Sequence, residues 1–326
     1  MRQITKTNCD VFAHNVNTAK KVYWFDGSYN AVAFAASVEN EVPKAKLRLA
    51  KRVIDRNNAF LSALGDTAAR IVVTSALVKS KDPQKAINDI KNIYMIMKKH
   101  FVAREFLALA TIVIYESGLP AEKTASRTKR IYELMKSRHF LLASHSDISV
   151  CAIMAVSGRN PDALIDDAEN CYKRISRAFI SNNDALLVAN MLALYDYPAD
   201  IKCKKLLNIR DSLKRRGLNL GTYNSSAILV PLAIASFNED SSVLTNEVCE
   251  AEKIMSVRKA TGGFFGVGKK LRTMFAVSVV NREYGSKMQN AVSAAASAVT
   301  TVIAAEVAIL CCISACVAAS KASVRV

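Results

Sequence analysis

The sequence predicts an all-α protein, and three observations lead to this fold class. Glycine and proline are scarce, at 11 and 6 of 326 residues, whereas β-sheet proteins need turns every few residues. The chain is 51% hydrophobic and is rich in Ala, Leu, Lys, Arg, Met and Ile, most of which favour helices. The third observation is an internal repeat. From it we expect an α-solenoid of about six helical hairpins with a period of about 39 residues, followed by an Ala-rich C-terminal helix.

The repeat is marked by a residue that closes each unit. These closing residues are Phe60, Phe101, Phe140, Phe179 and Leu218, separated by steps of 41, 39, 39 and 39 residues. A proline precedes each of them at a similar distance, namely Pro43, Pro83, Pro120, Pro161 and Pro198. A small, apolar stretch precedes each proline, as in residues 70–78 and 149–156. This regularity indicates copies of one unit; the alternative is a globular bundle of amphipathic helices that are alike by chance.

Each unit reads as helix A, a turn, helix B and a short connector. Helix A is apolar on most sides, so we expect it to be buried between its neighbours. The proline falls in the first turn of helix B, where its missing N–H costs least. Helix B is amphipathic, because Ile87, Ile90, Tyr94 and Met97 follow one another at helical spacing. A sixth, weaker unit starts at Ser225, with a predicted kink at Pro231 and a helix B over 243–257.

The chain is therefore divided into four predicted regions. Residues 1–29 form a helical lead-in, and residues 30–258 form the right-handed repeat array. Residues 259–287 form a Gly-rich hinge and a helix. Residues 288–326 form the Ala-rich C-terminal helix.

One segment carries a resemblance to a known family. Residues 139–177, HFLLASHSDISVCAIMAVSGRNPDALIDDAENCYKRISR, resemble the central region of an uncharacterised bacterial helical family, domain of unknown function 4003. The later GGFFGVGKKLRTMFAVSVV and the Ala-rich tail are also similar to that family. The resemblance implies an all-helical cytosolic protein and supplies no activity, substrate or catalytic residue.

The charge pattern suggests a candidate anion-binding surface. The formal net charge is +17, which favours polyanions and anionic lipid. Basic residues cluster where each helix B ends, and we name this set the basic ridge: Lys98, Lys99, Lys136, Arg138, Lys173, Arg174, Arg177, Lys214, Arg215 and Arg216. The helix dipole alone explains each cluster, but stacking in register would also align them. RNA-reading repeats need recurring polar residues at base-reading positions, and we find none. The ridge is therefore expected to contact nucleic-acid backbone or lipid without reading sequence.

Three other patterns resemble functional sites but have simpler structural explanations. Gly263, Gly268 and Lys269 resemble a phosphate-binding loop, but position 270 is lysine and no strand precedes it, so we expect a hinge. His139 and His145 are spaced unlike metal ligands; we expect a helix end at His139 and an N-cap near Asp147. The carboxylates of Asp166, Asp167 and Glu169 could do acid–base chemistry, but a helix N-terminus explains them better. No catalytic, cofactor-binding or metal-binding residue is predicted.

The cysteines and the C-terminal segment bear on the cellular location. Five of the eight cysteines are scattered singly in apolar contexts, which indicates reduced, buried thiols in a cytoplasmic protein. The segment 291–319 carries one charge, Glu306. Its heptad of small and aliphatic residues predicts a self-associating or back-packing helix. The alternative is a C-terminal membrane anchor, which would make the protein membrane-associated.

The predicted function is interaction without catalysis. We expect a scaffold that binds a protein or peptide through the surface of its helical repeats, with no cofactor. One alternative is a basic solenoid that binds nucleic acid or an anionic membrane surface. A second alternative is an unrecognised enzyme.

Overall fold

A computed structural model describes residues 3–22, 28–64, 67–102, 105–139, 141–142, 147–220, 226–258, 260–261 and 268–288. Every regular element in these residues is helical, which confirms the predicted all-α class. The first α-helices are α1 (Gln3–Val22), α2 (Ser28–Ala36), α3 (Lys44–Arg56), α4 (Asn58–Leu64), α5 (Thr67–Lys79), α6 (Pro83–Lys98), α7 (Glu105–Ser117) and α8 (Ala121–Arg138). They are followed by α9 (Ile148–Val156), α10 (Pro161–Ile175), α11 (Asn182–Leu192), α12 (Ala199–Arg215), α13 (Val230–Ala235), α14 (Ser241–Val257) and α15 (Lys269–Met288). Short 3-10 turns cover Ser176–Ala178 and Ser226–Leu229.

Contacts between helices divide the chain into two compact units. Unit 1 joins the residues up to Lys44 with those from Tyr197 onward, and it contains α1, α2 and α12 to α15. Unit 2 is Ala45–Asp196 and contains α3 to α11. The predicted repeat array therefore contributes helices to both units.

Unit 2 is built from helical pairs that lie side by side. Its A helices are α5, α7, α9 and α11, and its B helices are α6, α8 and α10. Each A helix contacts the next A helix, and each B helix contacts the next B helix. The helices of the pairs α5–α6, α7–α8 and α9–α10 also contact each other. Each pair thus covers apolar surface that its neighbour could not bury alone.

The A helices are largely buried because most of their residues are apolar. All nine residues of α9 are buried, including Ser149. Alanines such as Ala152 and Ala155 keep the helix narrow, so neighbouring helices can approach closely. Two A helices stop at glycines with positive φ, Gly118 at 65° after α7 and Gly158 at 76° after α9. That left-handed conformation ends a helix and favours glycine.

The B helices begin at the predicted prolines. Pro83 and Pro161 occupy the first turns of α6 and α10, where the Asp82 and Asn160 side chains accept hydrogen bonds from free backbone N–H groups. Pro120 and Pro198 instead occupy the N-cap positions of α8 and α12. The predicted apolar stripe of α6 is also confirmed, because Ile87, Ile90, Tyr94 and Met97 are all buried.

Unit 1 brings the first helix against the last described helices. Helix α1 contacts α2, α14 and α15, and the rings of Phe12 and Phe275 lie 5.4 Å apart between centroids. The Asn15 amide donates to the carbonyl of Asn40 at 2.9 Å and accepts from the Val42 N–H at 2.8 Å. This side chain fixes the segment that follows α2. The lead-in is therefore helical as predicted, and it is part of the packed core.

Two local predictions differ from the structure. Phe60 does not end a helix B, because α3 stops at Arg56 and Phe60 lies in the separate short helix α4. Pro231 does not kink a helix interior. The chain forms a 3-10 turn up to Leu229, and Pro231 then falls at the start of α13, where proline is tolerated.

The four cysteines at positions 9, 151, 171 and 203 are buried and unbridged, as predicted, whereas Cys249 is half-buried. Burial raises the pKa of the Cys9 thiol to about 11 and that of Cys151 well above its usual value. Deep burial therefore keeps these thiols protonated and unreactive.

Some predictions concern residues outside the described ranges. The Ala-rich segment 291–319, with its predicted self-association or membrane anchoring, is one of them, and Gly263 of the predicted hinge is another. Within the described helices, none has the length and apolar character needed to cross a bilayer.

Candidate binding surface

The basic ridge lies at the ends of B-type helices, as predicted. In unit 2, Lys98 and Lys99 end α6, Lys136 and Arg138 end α8, and Lys173, Arg174 and Arg177 surround the end of α10. Lys214, Arg215 and Arg216 end α12 in unit 1. All ten side chains are exposed. Helices α6, α8 and α10 are successive neighbours, so the unit 2 members of the ridge lie on neighbouring helices.

Part of the ridge is neutralised by ion pairs. Lys99 Nζ lies 3.2 Å from a carboxylate oxygen of Glu122 at the start of α8. Arg138 contacts Asp166 of α10 at 2.6 Å. Because these pairs join successive B helices, Lys99 and Arg138 stabilise the stack as well as contributing charge. Such exposed pairs contribute only about 0–1 kcal/mol each.

Other ridge residues retain uncompensated charge. Lys98, Arg174 and Arg177 form no ion pair with any residue that the structure describes. Arg174 donates only to the backbone carbonyl of Asn170, at 3.0 Å. Within unit 2, these three cations are therefore the members of the ridge best able to bind an external anion.

Aromatic contacts join α4 to α6, the end of α6 to α8, and the end of α8 to α10. Phe60 meets Tyr94 edge-on, with centroids 5.6 Å apart and an interplanar angle of 80°. Phe101 meets Tyr132 in the same way, at 5.7 Å and 85°. A lysine three residues before each tyrosine lies over the phenylalanine ring. Lys91 Nζ is 5.6 Å from the centroid of the Phe60 ring, and Lys129 Nζ is 5.5 Å from the centroid of the Phe101 ring. This geometry favours both the edge-to-face pair and the cation–π contact.

The third aromatic contact is also edge-on, but the charged residue beside it is a glutamate instead of a lysine. His139, one residue before the repeat-closing Phe140, meets Tyr172 edge-on, at 4.9 Å and 71°. Three residues before that tyrosine stands Glu169 instead of lysine, and its carboxylate lies 2.7 Å from His139 Nε2. His139 therefore ends α8, as predicted, and it also binds the next helix.

The acidic residues of α10 pair with cations and do not form a separate site. Asp166 binds Arg138, and Asp167 lies 3.2 Å from Arg159. Glu169 contacts both His139 and Lys173. These carboxylates lie beyond the first turn of α10, where the helix dipole has little effect. The predicted dipole explanation is therefore replaced by these ion pairs.

The residues of the histidine and phosphate-loop patterns lie partly within the described ranges. In the described part of the chain, no group of three or more potential metal ligands converges. His145 lies outside that part, while Asp147 stands at the N-cap of α9 without a capping bond from its side chain. Lys269 and Lys270 begin α15.

Unit 1 contains a pair of buried carboxylates that the sequence analysis missed. The Thr5 hydroxyl lies 2.8 Å from Glu247 and 3.0 Å from Glu283. Both glutamates are buried where α14 and α15 pack on α1, at 5% and 3% exposure. Their burial and their shared contact with Thr5 suit a role in packing α1 on α14 and α15.

Three exposed aliphatic residues beside the ridge were not predicted from the sequence. Val102, Leu141 and Ile180 lie in the connectors that follow α6, α8 and α10. Their exposed fractions are 91%, 92% and 96%. Their constant spacing was visible in the sequence, but their exposure was not.

Comparison with known proteins yields one match. The model of a protein family described as a protein of unknown function (DUF4003) matches residues 17–308. No curated protein and no solved structure matches this chain. The matched region includes the end of α1 and all of α2 to α15, so the basic ridge and the aromatic contacts lie within it.

Proposed function

This chain belongs to the DUF4003 family of proteins of unknown function, and from that premise we propose that it is a non-enzymatic interaction scaffold. Its repeats would bind a protein or peptide through their outward surface. We also propose that Ala45–Asp196 is the centre of an α-solenoid with a period of about 39 residues. Solenoids present extended surfaces that suit this role.

One observation carries the proposal: the aromatic contacts recur between successive helices of unit 2. Phe101–Tyr132 and His139–Tyr172 have similar edge-on geometry and link α6 to α8 and α8 to α10. Aromatic contacts that recur in this way favour a regular array of helical pairs over an irregular helical bundle. They also hold the exposed faces of the B helices in a fixed relation, which lowers the entropy cost of binding a partner.

Affinity capture with the full chain tests the scaffold proposal. We expect a partner that also binds the purified chain in a fixed ratio when measured by calorimetry. Met95 is 58% exposed on α6, and methionine adapts well to partner surfaces. Met95→Lys should therefore weaken binding by about tenfold, whereas Ile201→Lys, at a 41% exposed site in unit 1, should not. Failure to find a partner that binds in a fixed ratio would count against the proposal.

A second candidate function is binding to a polyanion, either nucleic acid or an anionic membrane. The exposed and uncompensated charges of Lys98, Arg174 and Arg177 favour it. Retention on heparin should then fall steeply with salt, because counterions are released on binding. Retention that does not depend on salt would contradict this candidate.

A further inference from the structure

Three aliphatic side chains recur along one edge of unit 2. Val102, Leu141 and Ile180 are separated by steps of 39 residues, and each stands one position after a repeat-closing phenylalanine. All three are more than nine-tenths exposed. The B helices that precede them are successive neighbours, and the end of each contacts the middle of the next, so we expect the three connectors to follow one another along this edge. We name these three residues the aliphatic row.

The row is limited to these three repeats. In the preceding repeat, the equivalent residue Leu61 is buried at 1% exposure. In the following repeat, the equivalent residue is the polar, exposed Asn219. A single exposed aliphatic residue is ordinary. Three at the same repeat position, with almost no contact to the protein, are not explained by packing, because replacing them with polar residues would cost the fold nothing.

The charges beside the row favour an anionic partner. Lys98 precedes Val102 by four residues, and Arg174 and Arg177 precede Ile180 by six and three. These cations have no acidic partner among the described residues, while the nearby acids Glu122, Asp166 and Glu169 are occupied by ion pairs. The edge therefore combines protruding apolar tips with available positive charge.

This combination distinguishes between the anionic partners. A nucleic-acid backbone would bind the cations and leave the aliphatic tips in water. An acidic peptide would be expected to bind in a groove, whereas residues exposed above nine-tenths protrude. A bilayer surface uses both features, because apolar side chains enter the boundary between headgroups and acyl chains while cations contact anionic headgroups.

We propose that the aliphatic row is a docking edge for an anionic lipid bilayer. Val102, Leu141 and Ile180 enter the interface, and Lys98, Arg174 and Arg177 contact the headgroups. The inference rests on the second candidate function, from which it selects the lipid surface and excludes sequence-independent nucleic-acid binding as the main role of this edge.

Cosedimentation of the full chain with vesicles tests the proposal. The probes are vesicles of phosphatidylcholine mixed with phosphatidylserine, vesicles of phosphatidylcholine alone, and poly(U) as an anion without lipid. The row variant carries Val102→Ser, Leu141→Ser and Ile180→Ser. The matched control carries serine at three exposed aliphatic sites of unit 1, namely Ile4, Ile201 and Val257. Circular dichroism and thermal melting check that both variants fold.

We expect the wild type to bind vesicles that contain phosphatidylserine and to bind phosphatidylcholine weakly. The row variant should lose about tenfold or more in vesicle affinity, while the control variant binds like the wild type. Weak binding to poly(U) should be the same for the wild type and the row variant, because their charges are the same. Replacing Lys98, Arg174 and Arg177 by glutamine should weaken binding to both anions.

The contrary outcomes separate the two proposals. If the row variant binds phosphatidylserine vesicles as well as the wild type, the docking edge is wrong and anionic-surface binding stands. If the wild type binds poly(U) and no vesicles, the choice of lipid is wrong. If the wild type binds none of the three probes, the second candidate function fails together with the docking edge.

Discussion

Replacing Phe101 by alanine should destabilise unit 2 far more than replacing its neighbour Val102. Phe101 is 6% exposed, meets Tyr132 edge-on at 5.7 Å and lies 5.5 Å below Lys129 Nζ. Removing the ring loses this burial and leaves a cavity, at a cost of about 3–5 kcal/mol. Val102 is 91% exposed, so Val102→Ala should change the free energy of unfolding by no more than about 0.5 kcal/mol.

Urea unfolding followed by far-UV circular dichroism measures both costs, and hydrogen exchange of the α6 and α8 amides assigns the loss to unit 2. Phe101→Leu separates burial from ring geometry. Leucine keeps most of the buried apolar area. The free energy of unfolding should therefore fall by the contribution of the aromatic pair, about 0.5–1.5 kcal/mol, and by a smaller amount for less complete packing. A cost below about 1 kcal/mol for Phe101→Ala, or equal costs at positions 101 and 102, would refute the role assigned to the aromatic contact.

Three further predictions concern local features. Asn160→Ala removes the cap that accepts from Asp162 N and Ala163 N and should lower the free energy of unfolding in urea by about 1 kcal/mol; an unchanged midpoint would contradict it. Gly158→Ala should cost about 1–2 kcal/mol, because φ is 76° although no atom blocks a Cβ, and Gly158→Asn should cost less. Burial raises the pKa of Cys9 from 9.0 to about 11. The unfolded chain therefore loses this proton at a lower pH than the folded chain does, and the free energy of unfolding should fall by about 2 kcal/mol from pH 9 to pH 11. Cys9→Ala should give a shallower fall over the same pH series.

Local features of unit 2 could be predicted because they depend on residues close in sequence. The prolines located the starts of α6 and α10, since proline suits only the first turn of a helix. The apolar spacing identified which side of α6 is buried. The positions of the basic residues at the ends of the B helices could also be predicted, because they follow from the local helix pattern.

Features that depend on distant residues could not be predicted. Nothing in residues 3–22 indicates that α1 would pack on α14 and α15, because many apolar surfaces could cover an amphipathic helix equally well. The partners of the basic ridge were missed likewise, since Glu122 and Asp166 belong to the helix that follows each cation. The contact between His139 and Glu169 was missed because Phe140, and not His139, is equivalent to Phe101 in the sequence repeat.

The packing of α1 against α14 and α15 affects the order in which the protein can fold during synthesis. All of Ala45–Asp196 leaves the ribosome before α14 and α15 exist, so unit 2 can fold while α1 still lacks its partners. Synthesis proceeds at about 5–20 residues per second, so the apolar side of α1, including Phe12 and Val16, lacks these partners for on the order of ten to fifty seconds. We expect nascent chains stalled before Ser241 to be cut by protease within α1, and full-length chains to resist. During that interval, the start of the chain is a natural target for chaperones.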